Sequence, residues 1–292
     1  MNRNPLAEVF GFPVLNQTKD SERYRKSRLC PFNNKVPSCT KDKANDPLGV
    51  CSIFQESEIV ITCPVRFRES WIIAEDAAQF FFPADTSWTS ITEVRLNDMD
   101  GNTAGNIDLV LAAYDDRGRV TDFGSLEIQA VYISGNVRNP FEKFMSQRKR
   151  SSDFAWSGPN YPKADFLSSS RKRLAPQMLY KGGILKAWKK KQAVALQTSF
   201  FQTLPKLQEV SPSKADIAWL LYDLKLDDSS NTFKLKQNRI VYTEFQSALK
   251  QITTAIPGKI DDFIEVIQQK LDEKLESNAP DAPTLQDITI TE

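Results

Sequence analysis

Asp108, Glu127 and Gln129 are the residues whose types and spacing are best suited to chemistry. Asp108 stands between Ile107 and Leu109 in "GNIDLVLAAYD" (105–115), where a lone carboxylate is costly to bury unless it is paired or bound to a cation. Nineteen residues later, "SLEIQAVYIS" (125–134) carries Glu127 and Gln129. Side chains alternate along a strand, so Glu127, Gln129, Val131 and Ile133 share one face and Leu126, Ile128, Ala130 and Tyr132 the other. An edge strand facing water accounts for the Glu/Gln pair. A metal-dependent active site also accounts for it: with Asp108 at a cross-strand position, two carboxylates and a backbone carbonyl can hold Mg2+ and leave room for water and a phosphate oxygen.

The composition narrows the chemistry further. The 292 residues include no histidine, which removes the usual general base and the commonest metal ligand near neutral pH. Ser-His-Asp hydrolysis, Cys-His proteolysis and His-ligated zinc hydrolysis are excluded, leaving carboxylates, lysines, amides and bound metal. Hydrophobic residues make up 40% of the chain, enough for a sizeable core. No apolar run is long enough to span a membrane, and "MNRNPLAEVFGFP" lacks the apolar stretch of a signal peptide. The expectation is a soluble, cytoplasmic protein.

The net charge of +1 conceals a segregation along the chain. Between Lys143 and Lys191 there are thirteen Lys/Arg against two Asp/Glu; between Asp261 and Glu292 the counts are two and nine. The basic block contains "RKR" at 148–150 and 171–173 and "KKK" at 189–191, interleaved with Phe144, Phe154, Trp156, Tyr161, Phe166, Tyr180 and Trp188. It reads either as a solvated face or as a phosphate-binding surface, and the aromatics favour the second. All four cysteines, Cys30, Cys39, Cys51 and Cys63, lie in the first 63 residues. In an intracellular chain this clustering points to a thiolate metal site, with four unrelated thiols as the alternative. Four sulfur ligands suit zinc or iron.

These residues need a scaffold. "EIVITCPVRF" (58–67) reads as a strand, and 85–98 forms an element of open type. The stretches 105–115 and 123–134 are two strands joined by the turn "DDRGR" (115–119). "GGILKAWKKKQAVALQTSFFQTL" (182–204) has helical periodicity, "KADIAWLLYDLKLD" (214–227) reads as a strand, and 239–256 and 258–277 read as helices.

The site is a variant of the Asp … Glu-x-Lys pattern of the PD-(D/E)xK nucleases, with Gln129 where lysine is usual. With the four early cysteines, "FGFP", "TEVRLND", "GNIDLVL", "LEIQAVYISGN" and "GGILKAW", the chain resembles the NotI-type restriction endonucleases from about Phe10 to about Leu204. The resemblance implies that Asp108, Glu127 and Gln129 are catalytic, with Glu93 as an upstream acidic group. It also implies that Cys30, Cys39, Cys51 and Cys63 bind a structural metal, iron by family precedent and zinc as the alternative. After about Pro205 no motif carries over.

The expected fold class is α/β: a PD-(D/E)xK restriction-endonuclease-like core, with a mixed central sheet flanked by helices and a small N-terminal four-cysteine region. The expected segments are 1–70 for the cysteine region, 71–278 for the nuclease core and 279–292 for a tail. The expected function is Mg2+-dependent, sequence-specific cleavage of double-stranded DNA by a homodimer, whose two active sites would match a palindromic target. Lys186, Lys189, Lys190 and Lys191 are candidate phosphate contacts. Asn136 and Arg138, in "GNVRN" (135–139), either approach the DNA or form a simple turn. The competing functions are a DNA-binding protein with a decayed nuclease site and a nuclease for single strands or RNA.

Overall fold

Asp115 sets up the turn that pairs the two site-bearing strands. Its carboxylate accepts the backbone N–H groups of Arg117 and Arg119, both at 2.9 Å, and its own N–H donates to the Arg119 carbonyl at 3.0 Å. This closes a tight turn in which the Asp side chain satisfies the backbone. The computed structural model describes residues 4–33, 36–43, 45–147, 156 and 160–277. The expected basic cluster at 148–150, Phe154 and the tail 279–292 lie outside these residues.

In chain order the described strands are β1 (Leu6–Val9), β2 (Phe12–Pro13), β3 (Asp42–Lys43), β4 (Asp46–Pro47), β5 (Val50–Gln55), β6 (Glu58–Ile61) and β7 (Trp88–Asn97). They continue as β8 (Thr103–Tyr114), β9 (Val120–Gln129), β10 (Tyr132–Ser134), β11 (Lys163–Asp165), β12 (Gln192–Gln197), β13 (Ile217–Asp227) and β14 (Thr232–Thr243). Six of them form the central sheet in the order β14-β13-β12-β9-β8-β7, and β1, β2, β5 and β6 form a smaller sheet in the order β2-β1-β5-β6. The central sheet is mixed: β12 runs parallel to both β9 and β13, and the other pairs are antiparallel. This is the expected α/β architecture.

Alternation along β12 assigns the two faces of the central sheet. Ala193 and Ala195 pack with Ile73, Ala77 and Phe80 of the helix Ile72–Phe81. Val194 and Leu196 face the other way, among Leu174, Met178 and Phe200. Glu127 and Gln129 are the register partners of Val194 and Leu196, so both carry their polar groups onto the face covered by the helical run 166–187.

Four expectations from the sequence are corrected. Gln192–Gln197 is a buried parallel strand, not part of a helix; a strand covered on both faces shows a continuous apolar run, which mimics a buried helix. The strand expected over 58–67 ends at Ile61, and a 3-10 helix starts at Pro64, since proline has no N–H for a ladder. The strand expected over 123–134 breaks after Gln129, and Tyr132–Ser134 pairs with β11 in a separate ribbon. The helix expected over 239–256 is confined to Phe245–Thr253; Arg239–Thr243 finishes β14.

The described residues up to Thr253 form one compact unit, and those from Thr254 onward a second, which contains the helix Ile260–Ser277. Among the described residues, no helix is long and apolar enough to cross a membrane.

Candidate active site

The β8–β9 ladder carries Asp108 to Glu127 and then opens. Register pairing runs from Tyr114↔Val120 to Leu109↔Leu126 and stops one step short of Asp108 opposite Glu127. Beyond that point the Ile128 N–H donates to Asp108 Oδ2 at 2.8 Å instead of to a strand carbonyl. The carboxylate therefore satisfies the amide that the splaying strand would otherwise strand.

Glu127 is 1% exposed. Burial, then the nearby negative charge of Asp108, raises its pKa to about 7 against the pull of Lys181. Lys181 Nζ stands 2.7 Å from Glu127 Oε1 as an ion pair, and Glu127 Oε2 is buried without a hydrogen-bond partner. Two carboxylates on adjacent strands, one of them buried with unfilled acceptor positions, form a donor set that fits a hard divalent cation.

Gln129, also buried, donates from Nε2 to Gln177 Oε1 at 2.5 Å. Glu93 lies on β7 between the register pairs Thr92↔Leu109 and Val94↔Ile107, which sets it across from Asp108. It is exposed and holds a left-handed φ of 57°, a conformation costly for a residue with a Cβ and found preferentially at functional sites.

Asp108, Gln129 and Gln177 line a cleft of about 980 Å3, together with Lys41, Arg138 and Arg173. Glu127 and Lys181 do not line it. Arg173 sits over the Tyr132 ring at 4.8 Å. Arg138 pairs with Asp42 at 2.5 Å and Asp46 at 2.8 Å, joining the helix Arg138–Gln147 to the cysteine-rich segment. Asn136 Oδ1 accepts the Asn139 N–H at 3.1 Å, so the 135–139 loop forms a turn and also borders the cleft.

The lysines expected to contact phosphate lie elsewhere. Lys186 reaches both Asp216 oxygens at 2.8 Å, Lys190 pairs with Asp122 at 2.5 Å, and Lys191 donates to the Phe80 carbonyl at 2.7 Å. Lys189 is exposed in a left-handed conformation, and none of the four lines the cleft. Sequence reasoning missed Lys181, Gln177 and Lys41, and had Arg173 only as part of the basic "RKR" at 171–173. The absence of charge at Gln129 was the one signal that a cation must come from another element.

The four cysteines are free thiols. Cys30 N–H donates to the Pro37 carbonyl at 2.7 Å and Cys39 N–H to the Arg28 carbonyl at 2.9 Å, closing the loop between them. Thr62 N–H donates to the Cys51 carbonyl at 3.0 Å, which brings Cys63 beside β5. Burial pushes the Cys30 thiol up to about 11, and it raises Cys39 and Cys51 as well; the charge of Cys63 adds to all three. Among the described residues, no three His, Cys, Asp or Glu side chains are gathered closely enough to hold a metal ion. The expected metal site is therefore not shown among the described residues.

No curated protein matches this sequence. The family description "Restriction endonuclease NotI" matches residues 9–235, most of the chain. The chain belongs to the NotI restriction endonuclease family, and its activity is sequence-specific cleavage of DNA.

Proposed function

We propose that this restriction endonuclease cuts both strands of duplex DNA at the Asp108–Glu127 pair. What supports it is the buried Glu127 carboxylate, paired with Lys181, beside Asp108 at the opened end of the β8–β9 ladder. Restriction endonucleases generally use Mg2+, and here Asp108 and Glu127 would hold it. When bound, the ion supplies Lewis-acid stabilisation of charge on the scissile phosphate and favours deprotonation of the attacking water.

The chain's own residues do the positioning. Asp108 presents a carboxylate to the cleft, held by the Ile128 amide. Gln129, fixed by Gln177, orients water through its amide, and Glu93 adds negative charge from β7. The water oxygen bonds to phosphorus as the bond to the leaving sugar oxygen breaks. One water proton ends on that sugar oxygen and the other is released, leaving a phosphate monoester and a hydroxyl.

Arg138, Arg173 and Lys41 border the cleft and supply cations for the DNA backbone. Lys186, Lys189, Lys190 and Lys191 lie outside the cleft, ahead of β12, and would meet DNA only beyond it. Cys30, Cys39, Cys51 and Cys63 would have to close up to hold a structural iron, or zinc, within the 1–70 segment; support comes from the chemistry of four free thiols and from the family match. The enzyme acts as a homodimer on a palindromic target.

Incubation with long unmethylated duplex DNA and with single strands, in Mg2+ or in EDTA, tests this. Discrete Mg2+-dependent duplex fragments are expected. Salt-sensitive DNA binding without cleavage of any substrate would favour a decayed nuclease site, and cleavage of single strands alone would favour another substrate class.

A further inference from the structure

Lysines are almost never fully buried unless paired, and Lys181 is 3% exposed. Its Nζ meets Glu127 Oε1 at 2.7 Å and the Asn106 carbonyl at 2.9 Å. It rides on a π-helical turn, Met178–Gly182, a rare geometry that recurs at functional sites. Gln177, one turn earlier in the same helical run, holds Gln129.

The spacings explain why one helix can engage both strand residues. Glu127 and Gln129 are two apart on a strand, about 6.7 Å; Gln177 and Lys181 are four apart on a helix, about 6 Å. The strand pair and the helix pair therefore meet one to one. Gly105 adjoins Asn106, and a Cβ there would stand in ordinary contact with the Lys181 stem, at 4.0 Å.

We infer that Lys181 is the active-site lysine of this enzyme: the ammonium that a Glu-x-Lys strand would carry at position 129 enters from the helix and positions Glu127. The inference rests on the reading of Asp108 and Glu127 as the catalytic pair. Lys181 touches no substrate group in this arrangement and acts through Glu127, as a positioning residue.

The test compares Lys181→Met, Lys181→Gln, Lys181→Arg and the double variant Gln129→Lys/Lys181→Met with the parent full-length enzyme, alongside Asp108→Ala. Cleavage kinetics, DNA affinity in EDTA and thermal melting are measured for each. Lys181→Met and Lys181→Gln are expected to lose about 100-fold in kcat, with KM and DNA affinity within about threefold of the parent. Lys181→Arg should keep most activity, and lysine restored at position 129 should recover at least about tenfold over Lys181→Met. Lys181→Gln keeps a donor for the Asn106 carbonyl, so it stands in if Lys181→Met does not fold. Cleavage by both neutral variants near the parent rate, with Asp108→Ala inactive, would overturn the lysine assignment alone. A loss that neither Lys181→Arg nor the double variant recovers would reduce Lys181 to a structural ion pair and also overturn it. Full activity of Asp108→Ala would instead overturn the catalytic pair itself.

Discussion

The Asp108 carboxylate accepts the backbone N–H of Ile128 at 2.8 Å, across the point where β8 and β9 part. One side chain thus closes a backbone ladder and faces the cleft. The two roles separate by substitution. Asp108→Asn keeps an oxygen acceptor for Ile128 and should fold with nearly unchanged stability. Asp108→Leu leaves that amide unsatisfied and should cost about 1–3 kcal/mol. Urea denaturation of the two variants measures the difference; equal stabilities would show that the amide is satisfied in another way.

Glu127 makes the stability of the metal-free protein fall with pH. Its ordinary pKa is 4.5, and burial followed by the charge of Asp108 raises it to about 7 in the fold. Below 4.5 both folded and unfolded chains hold the proton, and the contribution is fully present. Between 4.5 and about 7 the unfolded chain has released its proton while the folded chain retains it, so the contribution is lost as pH rises. Glu127→Gln is neutral throughout. In EDTA, its melting temperature should therefore rise relative to the parent's between pH 5 and pH 8. Parallel curves would contradict a raised Glu127.

The shared placement of the candidate site residues was legible from type and spacing because strand alternation forces Glu127 and Gln129 onto one face. Lys181 was not legible, since in sequence it is one of thirteen cations in a basic block and only the fold buries it. β12 was misread because Ala193 to Leu196 is apolar on both faces, which removes the period that separates strand from helix. The lysines flanking β12 looked like a helix surface and instead pair with Asp216, Asp122 and the Phe80 carbonyl. The cysteines were legible only as residue types, because their relative placement depends on the 30–39 loop and the β5–β6 hairpin, which spacing alone does not specify.

Arg66 and Glu8 tie the smaller sheet to the central one. Arg66 Nε lies 3.1 Å from Glu8 Oε2, Nη1 2.7 Å from Glu69, and Nη2 2.8 Å from the Phe233 carbonyl, while the guanidinium sits 4.2 Å from the Phe32 ring centre. Both Arg66 and Glu8 are fully buried. Arg66→Ala leaves Glu8 charged and unpaired, and should cost about 3–5 kcal/mol. Chemical denaturation checks this; a loss under about 1 kcal/mol would mean that Glu8 takes up a proton at little cost.

Replacing Cys39 by Ala should lower the bound metal content and the melting temperature together, because four thiolates leave no open coordination position for chemistry. Elemental analysis of the purified protein beside a thermal melt makes the comparison. Full metal loss with unchanged melting would contradict a structural role.

If the Asp108–Glu127 pair performs the cut, binding and cleavage must come apart when either carboxylate is neutralised. The parent, Asp108→Asn and Glu127→Gln are each titrated with a duplex carrying the mapped target in EDTA, and each is then supplied with Mg2+. All three are expected to bind, and both variants to cut more slowly than the parent by about 100-fold or more. Cutting by either variant at the parent rate would contradict it.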